Sequence, residues 1–229
     1  EIDAPLRHCI ALQDAAGQIT EVLGQGPQLG ERDRVALHRA FRLSLEDSEL
    51  VILSGSLPPG VAADAYAEMA RQTREAGRRC LVDASGEALH HAAQAKPFLL
   101  KPNRDEATSL CGHPVDDLDA AVAALRELSA RGVVMPVLTL GALGAIGMDA
   151  SGIWHAVIEL QQVRNTVGSG DCFLAGMAVG LKRGESLCDA LRLAVACGAA
   201  NAMEMETGYV HPDQVDALLV QVRVRKWKE

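Results

Sequence analysis

Aromatic residues are scarce in this chain: phenylalanine, tyrosine and tryptophan together make up 3% of its 229 residues. Positive charge is also in short supply, with 22 lysines and arginines against 30 aspartates and glutamates and a formal net charge of −8. Nucleic-acid recognition rests on neutralised phosphates and stacked bases, so a chain with neither a basic track nor a stacking platform is a poor candidate for it. No cysteine pair has the C-x-x-C spacing; the six stand at 9, 80, 111, 172, 188 and 197, several inside apolar runs, as reduced core thiols do. That usage predicts a reducing, cytoplasmic setting. Long hydrophobic runs are missing too. The most apolar stretch, 133–148, is broken by a proline and three glycines, too short and interrupted for a bilayer, and no charged-then-apolar leader opens the chain. There is no internal repeat and no low-complexity linker.

What is present is a chain with 48% hydrophobic residues, enough for one sizeable α/β domain with a full core. Residues 9–12 and 19–23 read as a hairpin about a turn at 14–17. After a loop over 24–30, the spacing of Val35, Leu37, Phe41 and Leu45 predicts a helix over 32–45. Strands at 49–53, 79–82, 98–100 and 133–139 then alternate with helices at 62–77, 87–94, 104–110 and 118–131. A second hairpin, 145–148 with 153–158, precedes two apolar helices, 171–182 and 187–203, and a last helix over 215–224 with a basic end. Alternation of this kind implies right-handed crossovers and a mostly parallel sheet flanked by helices. The opening hairpin stands outside that pattern as an appendage or lid. Residues 1–30 are thus expected to form a lid hairpin and its connection, and 31–229 the α/β domain.

In open α/β sheets ligands bind beyond the carboxyl ends of the strands. Here those ends read Ser54-Gly55-Ser56, Asp83, Lys101-Pro102-Asn103 and Thr139-Leu140-Gly141, and Asn165-Thr166-Val167-Gly168-Ser169-Gly170-Asp171 follows the second hairpin. No Lys-Ser or Lys-Thr follows Gly170, and the glycines do not follow G-x-G-x-x-G, which excludes a P-loop and argues against a dinucleotide fold. Gly168 and Gly170 can both take positive φ, turning backbone N–H groups toward one point at the start of a helix, where the macrodipole favours an anion. Asp171 then stands beside a held phosphate. The same string also suits a plain turn ahead of a helix with an N-terminal acid. Asn103-x-x-Glu106 has two compatible readings: a capping box, and an amide and carboxylate orienting water around Mg²⁺ on a phosphate chain.

Together these strings resemble the ribokinase-like (pfkB) carbohydrate kinases. The 165–171 stretch resembles that family's D/S-T-x-G-A-G-D signature, Lys101-Pro102-Asn103-Arg104-Asp105-Glu106 is similar to its K-P-N-x-x-E, and Thr139-Leu140-Gly141-x-x-Gly144 to its nucleotide loop. SGSLPPG at 54–60 looks like the sugar-phosphate branch, with the 1-phosphofructokinases, tagatose-6-phosphate kinases and minor 6-phosphofructokinases. Ser169 replaces the usual alanine and Cys172 a small residue, while Asn165 stands where Asp or Ser is common, a position that bears on a monovalent cation. The family's further N-terminal segment, with the first strands, a Gly-Gly-Asn sugar motif and much of the lid, has no counterpart here.

The resemblance implies ATP-dependent phosphoryl transfer to a hydroxyl of a phosphorylated ketohexose: fructose 1-phosphate, fructose 6-phosphate or tagatose 6-phosphate. Asp171 is then the general base, and the N–H groups of Gly168, Ser169 and Gly170 hold the transferring phosphoryl. Lys101 and Asn103 reach the ATP phosphates, and Glu106 holds Mg²⁺ through water. Thr139, Gly141, Gly144 and Thr166 border the nucleotide, with Gly198 and Asn201 on its adenine side. Ser54, Gly55 and Ser56 face the sugar. Arg7, in a string similar to the family's T-R-x-N/C strand, takes the sugar's phosphate; read alone it is equally a solvated arginine near a terminus. ATP and Mg²⁺ are the implied cofactors, no membrane is implied, and a homodimer through the lid is. Two alternatives are a kinase of an unphosphorylated sugar or nucleoside, and a nucleotide-binding protein without catalysis.

Overall fold

Short apolar runs flanked by helices pair side by side, as the alternation predicts. The computed structural model describes residues 2, 4–14 and 19–228; positions 15–17 of the predicted first turn lie outside the described residues. In chain order the elements are β1 (Cys9–Gln13), β2 (Ile19–Leu23), α1 (Glu31–Glu46), β3 (Leu50–Ser54), α2 (Ala65–Glu75), β4 (Arg79–Asp83), α3 (Gly86–Gln94), β5 (Leu99–Leu100), α4 (Arg104–Cys111) and α5 (Leu118–Ala130). There follow β6 (Met135–Thr139), β7 (Ala145–Asp149), β8 (Gly152–Val157), α6 (Ser169–Lys182), α7 (Leu187–Met203), α8 (Pro212–Leu219) and β9 (Arg223–Lys226). The seven strands β3 to β9 form one sheet in sequence order. Pairing is parallel from β3 to β6 and antiparallel from β6 to β9. β1 and β2 form a separate antiparallel ribbon, with Ile10 opposite Val22.

The sheet separates two apolar clusters, because successive side chains leave a strand on opposite faces. Cys80, Val82, Leu100, Leu138 and Ile146 pack with α2 to α5. Leu81, Leu99, Met135, Val137 and Ala156 pack with α6, α7 and α8. The result is a three-layer α/β/α domain.

Two elements differ from the sequence reading. The predicted last helix stops at Leu219, and its basic end is the edge strand β9. Alternation in Arg223-Val224-Arg225-Lys226 has period two, and the charged residues blunt an edge that would otherwise pair with another chain. In α1 the apolar spacing is real, but only Leu45 is buried and Phe41 partly so; Val35 and Leu37 are exposed.

The packing of α6 on α7 is set by small residues. A Cβ on Gly176 would lie 2.7 Å from Ala194 Cα, and one on Gly180 2.9 Å from Ala190 Cα. Only glycine allows this approach, and the close seam continues to Gly198, whose Cβ would meet Ser169 O at 3.1 Å. It seats the far end of α7 against the first turn of α6.

Candidate active site

Parallel register aligns the carboxyl ends of four strands. Ser54 ends β3 opposite Asp83 at the end of β4. Gly55 N donates to Asp83 O at 3.0 Å, and Lys101 N, just past β5, to Val82 O at 3.0 Å. Asn103 bridges to Thr139, the last residue of β6, and Thr139 N donates to Pro102 O at 3.2 Å. The Lys-Pro-Asn and Thr-Leu-Gly strings are thereby neighbours.

Asp171 lies in the first turn of α6 and faces this rim, accepting a hydrogen bond from Ser54 Oγ at 3.2 Å. Its neighbour is a buried ion pair: Lys101 Nζ stands 2.8 Å from Asp83 Oδ2, and Lys101 is 3% exposed. Burial raises the Asp83 pKa above the usual carboxylate range; Lys101 opposes the rise and Asp171 adds to it. Tyr66 donates its hydroxyl to Ser54 O at 3.0 Å, and its own pKa is raised by burial and by the charge of Asp83. Glu106 is raised by burial too, against the Asn103 N–H and Lys101, while Asp83 and Asp105 push it further up. Asp83 thus links Asp171 on one side and Glu106 on the other, with Lys101 paired to it. Their oxygen donors are of the type a hard divalent ion takes.

Both readings of Asn103 and Glu106 are compatible with the geometry. The capping box is complete, with Glu106 N donating to Asn103 Oδ1 at 2.9 Å and Asn103 N to Glu106 Oε2 at 2.8 Å. The same bonds hold the carboxylate on the rim, near Lys101.

The glycine turn corrects two expectations. Gly168 has φ 84°, and a Cβ there would come 2.7 Å from Gly208 N, so this position requires glycine on both counts. Gly170 is helical and takes no positive φ. A Cβ there would sit 3.6 Å from Lys101 Nζ, an ordinary contact that puts the residue beside the lysine. The Ser169 N–H is engaged by Thr166 O at 3.1 Å, whereas those of Gly170 and Asp171 take no backbone carbonyl among the described residues. The Ser169 amide is thus taken within the turn, while those of Gly170 and Asp171, unpaired by carbonyls among the described residues, stand at the start of α6, near Lys101.

Asn201 is fully buried, with 0% exposure, so it borders no open surface. Its amide nitrogen donates to Val167 O at 2.9 Å and Ser169 Oγ at 3.0 Å, and its oxygen accepts from Gly208 N at 2.7 Å. It clamps the glycine turn onto α7. Asn165 caps the same turn, accepting from Val167 N at 3.0 Å and donating to Met205 O and Thr207 Oγ1.

Around the strand-β6 loop, Gly141 and Gly144 have φ 61° and 82°, and a Cβ on Gly144 would lie 2.1 Å from Ala156 O. Arg104 donates to Leu140 O at 3.2 Å, and His155 Nε2 lies 2.7 Å from Leu143 O. These supports, like Tyr66 and the Lys101–Asp83 pair, were not assigned from sequence. Asp83 stood out only as a polar strand end, and nothing in the sequence tells that two residues 18 apart in number pair in a buried site. At the hairpin end, Arg7 Nη1 donates to Ser56 Oγ at 2.5 Å, placing Arg7 over the 54–60 loop. The connection follows that loop, with Leu29 N donating to Pro59 O at 2.9 Å and Arg34 Nη1 to Gly60 O at 2.9 Å.

The profile of pfkB family carbohydrate kinases matches residues 2–214. The chain is 32% identical over 210 residues to a 1-phosphofructokinase of Bacillus subtilis (strain 168), covering 92% of this chain and 68% of that protein. Phosphofructokinase-2 from Escherichia coli in complex with potassium superposes with a TM-score of 0.82 at 29% identity, over 90% of this chain and 67% of that one. A possible 1-phosphofructokinase from Thermotoga maritima shares the fold, with a TM-score of 0.86 at 23% identity, over 97% of this chain and 71% of that one. The chain spans about two thirds of the length of these relatives.

Proposed function

This chain belongs to the pfkB family of carbohydrate kinases, and from that premise we propose that it transfers a phosphoryl group from ATP to a hydroxyl of a phosphorylated ketohexose. The observation that carries the reading is Asp171 at the start of α6, bonded to Ser54 on the rim, with Gly170 before it and Lys101 alongside. The similarity to a 1-phosphofructokinase supports the substrate class.

In the reaction, the acceptor oxygen forms a bond to the γ-phosphorus while the bond from that phosphorus to the bridging oxygen of ADP breaks. The acceptor's proton passes to the Asp171 carboxylate. Such transfers depend on positioning and charge stabilisation more than on covalent help. Gly170 and Asp171 N–H groups and the α6 dipole receive charge on the phosphoryl oxygens, with Lys101 beside them. Asp83 fixes Lys101 by its ion pair. Thr139, Gly141 and Gly144 form the nucleotide side, where Thr166 is also exposed. Glu106 and Asn103 would hold Mg²⁺ through water, and that ion, when bound, neutralises charge on the ATP phosphates. A monovalent cation by the 165–168 turn belongs to the same reading, supported by the potassium complex of the Escherichia coli neighbour.

Arg7 is assigned to the substrate phosphate, because its planar fork can bind two phosphate oxygens and it already reaches Ser56. The hairpin is assigned to a homodimer contact. Ile10, Leu12 and Val22 share one face and are 53%, 57% and 54% exposed, and a two-stranded ribbon is marginal on its own. A reducing, cytoplasmic location is supported by six free cysteines, and no helix among the described residues is long and apolar enough to cross a membrane.

An ADP-release assay across fructose 1-phosphate, fructose 6-phosphate, tagatose 6-phosphate, fructose and ribose tests the substrate class. A sugar phosphate should be preferred, and Arg7→Ala should raise its KM by about ten- to a hundredfold, the weight of a charge-assisted bond, with KM for ATP unmoved. Free fructose or ribose turning over as well as every sugar phosphate would overturn the proposal.

A further inference from the structure

At the end of α4 opposite to Asn103 and Glu106, three side chains of different chemistry converge. Cys111 is the last residue of the helix. Gly112 follows in the left-handed conformation, φ 73°, and turns the chain so that His113 comes back toward α5, where Glu127 meets it. The Cys111 Sγ, a His113 ring nitrogen and a Glu127 carboxylate oxygen all lie within 4.8 Å of one another. His113 Nε2 and Glu127 Oε2 are 3.5 Å apart. With zinc bonds of about 2.0–2.2 Å to nitrogen and oxygen, two ligands at a tetrahedral angle stand roughly 3.4 Å apart, so this pair already has a ligand–ligand spacing.

The surroundings are framed. Gly112 N donates to Thr108 O at 2.9 Å, and Val115, fully buried, donates its N–H to Thr108 Oγ1 at 3.1 Å. Arg131 Nη1 donates to Leu110 O at 3.0 Å, and its Nη2 bonds Glu127 Oε1. That leaves Oε2 turned to His113. His113 Nδ1 lies 3.3 Å from Pro114 O, a partner that would hold the Nδ1–H tautomer once a metal takes the Nε2 lone pair. Outer partners that orient an imidazole and a carboxylate in this way are a regular part of metal sites.

We propose that Cys111, His113 and Glu127 form a zinc-type metal site, separate from the magnesium of catalysis. A thiolate, an imidazole and a carboxylate select a borderline-soft divalent ion, and magnesium, which takes oxygen ligands, is the wrong match. Three protein ligands leave a fourth position for water. Binding releases a proton: the Sγ–H bond breaks, the electron pair goes to the metal, and the proton goes to solvent. Because a thiol must lose its proton to ligate, affinity rises with pH. The ion would tie the end of α4 to α5, at the far end from the residues that hold Asn103 and Glu106 on the rim.

The test uses the untagged chain and cobalt(II) and zinc(II) as probes. Cobalt(II) should give a thiolate charge-transfer band and visible bands of tetrahedral intensity at one equivalent, and zinc should displace it and raise the melting temperature. Cys111→Ser should abolish the charge-transfer band, while Cys188→Ser keeps it. His113→Gln and Glu127→Gln, on partly exposed side chains whose loss leaves the fold intact by circular dichroism, should weaken binding by at least about tenfold. No saturable cobalt band in the parent, a band that survives Cys111→Ser, or parent-like affinity in both other variants would overturn the proposal. Sugar-kinase activity enters none of these readouts.

Discussion

Truncating Asn201 to alanine removes a clamp that touches no open surface. Its amide makes four hydrogen bonds, donating to Val167 O and Ser169 Oγ at 2.9 and 3.0 Å and accepting from Gly208 N at 2.7 Å and, more weakly, from Cys172 Sγ at 3.7 Å. In Asn201→Ala the Ser169 hydroxyl can rotate to a new partner, but Gly208 N and Val167 O lose theirs at part-buried positions. At about 1 kcal/mol net per bond, with more for a group left buried and unpaired, the variant should lose about 2–4 kcal/mol. For a domain of this size that lowers the melting temperature by about 5–15 °C. The larger consequence is positional. The clamp holds Val167-Gly168-Ser169, so the first turn of α6 and Asp171 lose their fixed placement relative to Ser54 and Lys101, and misplacement on the scale of an ångström costs about a hundredfold in rate. Denaturant unfolding and ADP-release kinetics, run well below the variant's melting temperature, separate the two effects. We expect kcat to fall by about ten- to a hundredfold with KM for ATP within about threefold of the parent, the pattern of a lost transition-state arrangement. A raised KM for ATP at unchanged kcat would mean that Asn201 serves nucleotide binding, and parent-like stability and rate would refute the clamp.

Glu106→Gln keeps a side chain able to close the capping box, so stability should hold while the Mg²⁺ concentration for half-maximal rate rises several-fold; an overlaying Mg²⁺ titration would leave Glu106 as a cap only. His155 is 4% exposed, with Nε2 on Leu143 O and Nδ1 without a hydrogen-bond partner among the described residues, and burial lowers its pKa below the ordinary 6.5. A folded pKa below the unfolded one means that the stabilising contribution is complete above about pH 6.5 and lost as pH falls through the folded value, so urea midpoints of the parent between pH 7.5 and 5.5 should drop more steeply than those of His155→Asn, and equal slopes would contradict it. Ile10→Asp should place a charge on the apolar face of the hairpin and halve the mass seen by light scattering, leaving the melting of the α/β domain unchanged; a mass equal to the parent's would remove the hairpin from the dimer contact.

How much of this was legible in the sequence depends on range. The strand ends were, because a buried apolar run and the polar residue after it are adjacent in the chain: Ser54, Asp83, Lys101 and Thr139 were all named from that pattern and all meet on one rim. The apolar helices α6 and α7 were legible from their spacing, but their close approach through Gly176 and Gly180 was not, since glycine in a helix reads locally only as a weak position. Gly170 misled for the same reason: positive φ is what glycine permits, and here the residue is helical. The helix predicted over 215–224 failed where the chain passes from period 3.6 to period two at Arg223, within a window too short to show either. Asn201 could be seen as a polar residue in an apolar helix, yet its four partners come from 167–172 and 208, and only the fold brings them together.

The central claim is that Asp171 takes the proton of the acceptor hydroxyl. Asp171→Asn keeps the shape and the bond partner for Ser54 Oγ and removes the base. In a steady-state assay with the preferred sugar phosphate, kcat should fall by about 10²–10⁴, with ATP affinity measured by equilibrium binding little changed. An Asp171→Asn enzyme that turns over within a few-fold of the parent would contradict the account.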